Sequence, residues 1–406
     1  MTVPPLAILG GVPAFESPRH VGTPFIPPRD WLHGSLDAIL DARRLSNDGP
    51  FVQELEARLA DLHGVRHGVA MANATVALQV VMRALGLKGE IVLPSFTFIA
   101  TAHAATWEHL GTRFVDIDPE THCMDPQAAA AALGPTTAAI LGVHLWGQRC
   151  AVESLATLAS RAGLPLILDG AQALGCRFQP AMGGAVATVL SLHATKIVSG
   201  LEGGVVLTND DGLAARLRRM RNFGFAGYDR VVCLGTNAKL NEFSAAFALA
   251  GLACLEDLIQ RNKGIQAAYQ DGLADLPGVS VHRPSSQPAA NHHYVVLMVD
   301  PAVCPLSRDD LMQTLWAEQI LARRYFYPGC HRMEPYRSCP SPAWGPLPVT
   351  EDVAERVLVL PAGSAVSSDD IEQICRRIRW AMEQAPLVRA ALAGQALPTG
   401  ANGQMP

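Results

Sequence analysis

Three short stretches of this chain carry residues whose types and spacing could do chemistry. The first is Leu164-Pro-Leu-Ile-Leu-Asp169-Gly-Ala-Gln172, an apolar run ending in a carboxylate. The second lies 27 residues further on, where Ser191-Leu-His193-Ala-Thr-Lys196 runs into Gly200-Leu-Glu202-Gly-Gly204 and places a lysine in a small-residue loop. A lysine so placed is a candidate amine nucleophile toward a carbonyl. The third is Met71-Ala-Asn73-Ala-Thr75, a polar turn before a helical pattern, whose first amides and positive dipole end suit a phosphate. Each has a bland alternative: Asp169 as a turn cap, Lys196 as a surface lysine lying over apolar neighbours, Asn73 or Thr75 as an ordinary N-cap. Together they make what pyridoxal 5'-phosphate requires. Lys196 forms the Schiff base, Asp169 keeps the ring nitrogen protonated, and the turn with Ser191 holds the phosphate.

These residues need a scaffold that brings strand ends together. From about Gly64 to Asn209, short apolar runs alternate with helical patterns. His67–Met71, Glu90–Leu93, Arg113–Asp116, Ala138–Val143, Pro165–Asp169, Val186–Ser191 and Gly204–Thr208 read as strands. Thr75–Leu85, Ile99–His109 and Val152–Ala162 read as helices. The alternation predicts an α/β fold with a mainly parallel seven-stranded sheet, which binds ligands at the carboxyl ends of its strands. A smaller C-terminal α+β domain follows. The expected limits are an irregular N-terminal arm over 1–50, a large cofactor-binding domain over 51–250, a small domain over 251–385 opened by a long helix over Leu252–Leu276, and a disordered tail over 386–406.

Composition narrows the class. The 406 residues imply at least two packed units, and 49% hydrophobic residues supply their cores. A net charge of −5 without a basic cluster argues against a nucleic-acid partner. The uncharged stretches Ile91–Trp107 and Phe178–Thr195 are too polar to cross a membrane. Nine cysteines with no C-x-x-C pair read as reduced thiols of a cytoplasmic protein. Asp116 and Asp118 lack complementary ligand spacing, so no metal is expected.

From Leu9-Gly-Gly to Leu360-Pro361 the chain resembles the DegT/StrS-type sugar aminotransferases, pyridoxal-phosphate enzymes of the aspartate-aminotransferase fold. The likeness rests on Asn47-Asp-Gly-Pro50, Asn73-Ala-Thr75, Pro94-Ser-Phe-Thr-Phe-Ile-Ala-Thr101, Asp116-Ile-Asp118, His144-Leu-Trp-Gly147, Asp169-Gly-Ala-Gln172, His193-Ala-Thr-Lys196, Glu202-Gly-Gly204, Arg221-Asn-Phe-Gly224 and Gly235-Thr-Asn237-Ala-Lys239. Phe326-Tyr-Pro-Gly-Cys-His331 and Ala365-Val-Ser-Ser368 bring it nearer the nucleotide-sugar 4-aminotransferases of antibiotic deoxysugar pathways, the desosamine and calicheamicin types.

The resemblance implies Lys196 as Schiff-base lysine and proton carrier, Asp169 at the pyridine nitrogen and Gln172 at the ring hydroxyl. It implies Ala74, Thr75 and Ser191 at the phosphate, Phe98 over one ring face, and Asn237 reaching the phosphate from a neighbouring subunit, hence a homodimer. Tyr325 and His331 fall in a segment that resembles the substrate-facing loop; Arg323 and Arg324 beside them stay open. Gly170, Leu192 and Leu201 depart from the family's usual residues, each as a size change beside the site. Relatives have His or Gln at position 172. The implied reaction moves an amino group from glutamate to C4 of dTDP-4-keto-6-deoxy-D-glucose. The alternatives are a 3-keto-sugar aminotransferase, an aminobenzoate-type synthase and a non-catalytic regulator; a sugar dehydratase would carry histidine in place of Lys196.

Overall fold

The structure, a computed structural model, describes residues 5–178, 182–283, 290–339 and 344–393. Its centre is a seven-stranded sheet in the order His67–Met71, Gly204–Thr208, Ala187–Ser191, Leu166–Asp169, Thr137–Val143, Glu90–Pro94, Gly111–Val115. Only Gly204–Thr208 runs antiparallel to its neighbours, so the sheet is mainly parallel. The strands end within two residues of the predicted limits because their apolar runs are bounded by turn residues on both sides. Leu166–Asp169, Ala187–Ser191 and Gly204–Thr208 are buried throughout, as strands covered on both faces must be.

Helix starts are fixed locally. Asn73 caps Ala74–Ala84 by accepting the Val76 amide at 2.8 Å, and Asp210 does the same for Asp211–Met220 through the Leu213 amide. Pro50–Leu62 has no such cap of its own. Its first amides, Phe51 and Val52, donate instead to the fully buried carboxylate of Glu242 at 2.9 and 3.0 Å. Gly49 leaves room for this contact, since a Cβ would meet the Glu242 carboxylate at 2.4–2.8 Å and push it off these amides. Arg221 ties the same corner together, pairing with Glu56 and with Asp48 at 2.7 Å and donating to the Ala70 carbonyl.

A second core lies around the antiparallel sheet Val357–Leu360, Val295–Val299, Val279–Val281. Four expectations about the chain ends and the domain junction need correction. Residues 252–276 are not one helix: Leu252 and Ala253 end the helix Glu242–Ala253, Leu255–Gly272 begins after a break at Cys254, and residues 273–276 lie beyond it. Glu256 and Asp257 begin a new helix by sitting in its first turn, where negative charge is favoured. Gly251, placed at the domain boundary, therefore lies inside a helix buried beneath the Lys196 loop; a Cβ there would come within 3.2 Å of Val198. The first 50 residues are not irregular throughout. Arg29–Ala42 is helical, Ala7 and Ala14 donate their amides to buried Glu318 at 2.8 Å, and Arg19–His20 pairs with Ile320–Leu321. Finally, residues 386–392 belong to a helix, Ala385–Leu392. Ala385, Val388 and Leu392 repeat at helical spacing and are buried in the second core, which outweighs the Ala-rich composition that suggested disorder. Residues 394–406 of the expected tail lie outside the described residues.

Candidate active site

The site opens at the carboxyl ends of the parallel strands, around a cavity of about 680 Å³. That volume lies within the range of small-molecule and cofactor sites. Asp169 is the last residue of its strand and points into the cavity from a buried position. Its Oδ2 accepts the Thr101 hydroxyl at 2.7 Å, and its Oδ1 accepts the Ala171 amide at 3.0 Å. Burial pushes the Asp169 carboxyl above its ordinary value, while Thr101, the Ala171 amide and the Lys196 charge pull it partly back. A buried carboxylate in this condition is matched by a cationic group such as a protonated ring nitrogen.

Lys196 sits in the loop between Ala187–Ser191 and Gly204–Thr208, held by its own amide to the His193 carbonyl. Its Nζ donates to the Tyr294 hydroxyl at 3.3 Å. Beneath it Leu192 is fully buried, and a Cβ atom at Gly203 would crowd it at 3.0 Å. Leu192 therefore fills core beside the loop. Gly170 is equally constrained, since a Cβ would approach Thr188, Leu190 and Val189 at 3.0–3.2 Å.

The phosphate turn is built as a helix start. With Asn73 Oδ1 accepting from Val76 and Asn73 O from Ala77, the Ala74 and Thr75 amides are left without partners among the described residues. The end of the antiparallel strand presses against this turn; a Cβ on Gly204 would lie 2.5 Å from the Ala74 nitrogen. Ser191 faces the same space and accepts the His193 amide at 3.3 Å. Gln172 is oriented by the Trp146 amide, which donates to its Oε1 at 2.7 Å. Its Nε2, a donor, has no partner among the described residues. Phe98 also lines the cavity and is about half exposed. The donor and acceptor set fits pyridoxal phosphate: free helix amides and Ser191 for the phosphate, Asp169 for the ring nitrogen, Gln172 for a ring oxygen, and Lys196 for covalent attachment.

Two expected residues are not brought here. His331 is buried away from the cavity, with Nδ1 2.6 Å from the Ser95 hydroxyl and Nε2 3.2 Å from Glu351. Both ring nitrogens are engaged, one with Ser95 of the large unit and the other with Glu351 of helix Pro348–Arg356, which leaves none for substrate. Asn237 is exposed and lies outside the cavity of its own chain, where it bridges to Asn222. Tyr325 does line the cavity, stacked on Phe326 at 5.3 Å, with Phe326 stacked in turn on Trp146 at 5.6 Å. The two arginines divide. Arg324 pairs with Asp309 at 3.2 Å, whereas Arg323 lines the cavity with no side-chain hydrogen bond or ion pair among the described residues. His144 is packed and its Nδ1 accepts the Cys150 amide at 3.2 Å; burial holds its pKa at about 3. Asp116 and Asp118 accept backbone amides, Asp116 at the start of Pro348–Arg356 and Asp118 within its own turn.

Thr101 and Tyr294 are contacts of Asp169 and Lys196 that the sequence did not reveal. Thr101 closes the Pro94–Thr101 stretch, where nothing local marks Asp169 as its partner. Nothing in Asn291-His-His-Tyr294 links it to a lysine nearly a hundred residues earlier.

Comparison with known proteins agrees with this geometry. Residues 32–379 match the DegT/DnrJ/EryC1/StrS aminotransferase family model. A dTDP-4-amino-4,6-dideoxy-D-glucose transaminase of Shigella dysenteriae is 34% identical over 369 residues, covering 90% of this chain and 99% of that protein. The crystal structure of DesI with its TDP-sugar product is 45% identical with a TM-score of 0.90, covering 95% of this chain and 98% of that one. S. venezuelae DesV is 29% identical with a TM-score of 0.80, covering 87% and 95%. The chain belongs to the DegT/DnrJ/EryC1/StrS aminotransferase family and is a pyridoxal-phosphate-dependent transaminase.

Proposed function

We propose that the chain moves an amino group from glutamate to the C4 ketone of dTDP-4-keto-6-deoxy-D-glucose. The product is a dTDP-4-amino-4,6-dideoxy sugar for antibiotic glycoside biosynthesis. The observation that carries the proposal is the single cavity onto which Lys196, Asp169 and the free amides of Ala74 and Thr75 all face. The name of the Shigella dysenteriae relative, matched over nearly its whole length, supports the 4-amino product. The TDP-sugar product of DesI supports the nucleotide.

Pyridoxal phosphate supplies an aldehyde that takes up the amine and a ring that absorbs the electrons of the reacting carbon. Lys196 Nζ removes and returns the proton at that carbon. Asp169, held by Thr101 and the Ala171 amide, keeps a negative charge at the far side of the cavity. Arg323 binds the anionic groups of the substrates, and Tyr325 sets which sugar carbon faces Lys196. Binding through the remote nucleotide and diphosphate fixes the sugar's orientation.

The active unit is a homodimer in the cytoplasm, with Asn237 reaching the phosphate cradle of the neighbouring chain. Support for association comes from an exposed apolar face that includes Phe223, Phe225, Tyr228, Val232 and Leu234, unusually apolar for a free surface. All nine cysteines are unpaired, in keeping with a reducing compartment. The test is a coupled assay offering 4-keto and 3-keto-6-deoxyhexose nucleotides with glutamate, the product carbon being read by NMR. Amination of the 4-keto sugar supports the proposal; amination of the 3-keto sugar alone refutes its regiochemistry.

A further inference from the structure

Lys196 has one side-chain hydrogen-bond partner among the described residues, and it comes from the other half of the molecule. Tyr294 immediately precedes Val295–Val299, the central strand of the small antiparallel sheet. Its hydroxyl lies 3.3 Å from Lys196 Nζ. The ring is buried, with Trp146 edge-on at 5.6 Å and His293 edge-on at 4.9 Å.

The residues before it lace the same segment to the floor of the site. Asn291 Nδ2 donates to the carbonyls of Gln172 and Leu174 at 2.9 and 3.0 Å, and Asn291 Oδ1 accepts the His293 amide at 3.1 Å. His293 Nε2 lies 2.9 Å from the carbonyl of Thr195, the residue before the lysine. A carbonyl only accepts, so Nε2 carries the proton. Burial holds His293 down to about 4, so the ring is neutral and its Nδ1, buried without a partner, bears no proton. One neutral histidine tautomer thus grips the backbone of the lysine loop while the adjacent tyrosine meets the lysine's amine.

We infer that Tyr294, braced by His293 and Asn291, is the positioning residue for the Lys196 amine. The inference rests on Lys196 being the proton carrier. A free lysine has a flexible four-carbon stem with many rotamers, which works against a single productive geometry. A phenol suits the role because a hydroxyl both accepts and donates. It accepts an N–H of the ammonium form, and it donates to the lone pair of the neutral amine. The same contact therefore holds the lysine on both sides of each proton transfer. Asp169, His193, Glu202 and Arg323 also line the cavity around this amine, and none of them has a hydrogen bond to it.

The test is Tyr294→Phe, which keeps the ring and its packing and removes only the hydroxyl. In the holoenzyme, kcat should fall roughly ten- to a hundred-fold, the scale of a misplaced proton carrier, with KM for both substrates within about twofold. The second readout uses cofactor-free protein. Lys196 should be modified by trinitrobenzenesulfonate several-fold faster in Y294F than in the parent, as followed by peptide mass spectrometry. Unchanged thermal melting and near-ultraviolet circular dichroism would confirm intact packing. Parental kcat overturns the inference. So does a parental modification rate with lowered kcat, which would mean that the hydroxyl acts on the substrate rather than on the lysine. Neither result touches the assignment of Lys196 itself, which reductive fixation of the cofactor tests separately.

Discussion

Thr101→Val removes one hydroxyl and little volume from the support of Asp169. The lost contact is a buried 2.7 Å hydrogen bond to a carboxylate, with Thr97 behind it at 2.9 Å. Hydrogen bonds to charged groups contribute about 1.5–3 kcal/mol, and here the bond favours the ionised acid. Its loss drives the Asp169 carboxyl further in the direction that burial already pushes it. A weaker negative charge at the ring nitrogen should lower kcat by about ten- to a hundred-fold, taking 1.36 kcal/mol per tenfold. The sign in pH follows. Raising the acid's pKa moves the loss of its charge to higher pH, so the acid limb of the kcat profile should shift upward. Steady-state kinetics from pH 5.5 to 9 would read both effects, with cofactor absorbance confirming that the site is loaded. An unchanged kcat with an unmoved acid limb would refute the claim that Thr101 tunes Asp169.

Three other predictions test separate parts of the account. Glu242→Ala strips the buried carboxylate from the Phe51 and Val52 amides and should cost about 3 kcal/mol in urea denaturation; a loss under 1 kcal/mol would contradict the assigned cap. Buried His122 and His144 are held at about 3 against an ordinary 6.5, so stability is complete above pH 6.5 and falls as the pH drops through the interval below it. Between pH 7.5 and 5.5 the pair should cost about 2–3 kcal/mol, and equal urea midpoints at the two values would refute this. Arg323→Ala should raise KM for the sugar nucleotide at least tenfold with little change in kcat, while Arg324→Ala, whose guanidinium is occupied by Asp309, should change KM little; equal effects would refute the division.

The sheet was legible because each strand is an apolar run closed by turn residues, so His67–Met71 and Gly204–Thr208 were placed to the residue. The phosphate turn was legible for a similar reason, since Asn73 announces a helix start from its immediate neighbours. Positions fixed by distant partners were not. Thr101 and Tyr294 become contacts of Asp169 and Lys196 only when the chain closes over long separations. Residues 252–276 read as one helix because their apolar periodicity runs past Cys254, and the acidic first turn of the second helix was the overlooked signal. His331 looked available in sequence, and only packing brings Ser95 and Glu351 to its two nitrogens.

The most direct test of the central claim is reduction of the purified, cofactor-loaded protein with borohydride, followed by proteolysis and peptide mass spectrometry. Reduced pyridoxyl phosphate is expected on the peptide containing Lys196, with no label in a Lys196→Ala protein of unchanged fold. Label on another lysine, or label that survives in Lys196→Ala, would contradict it.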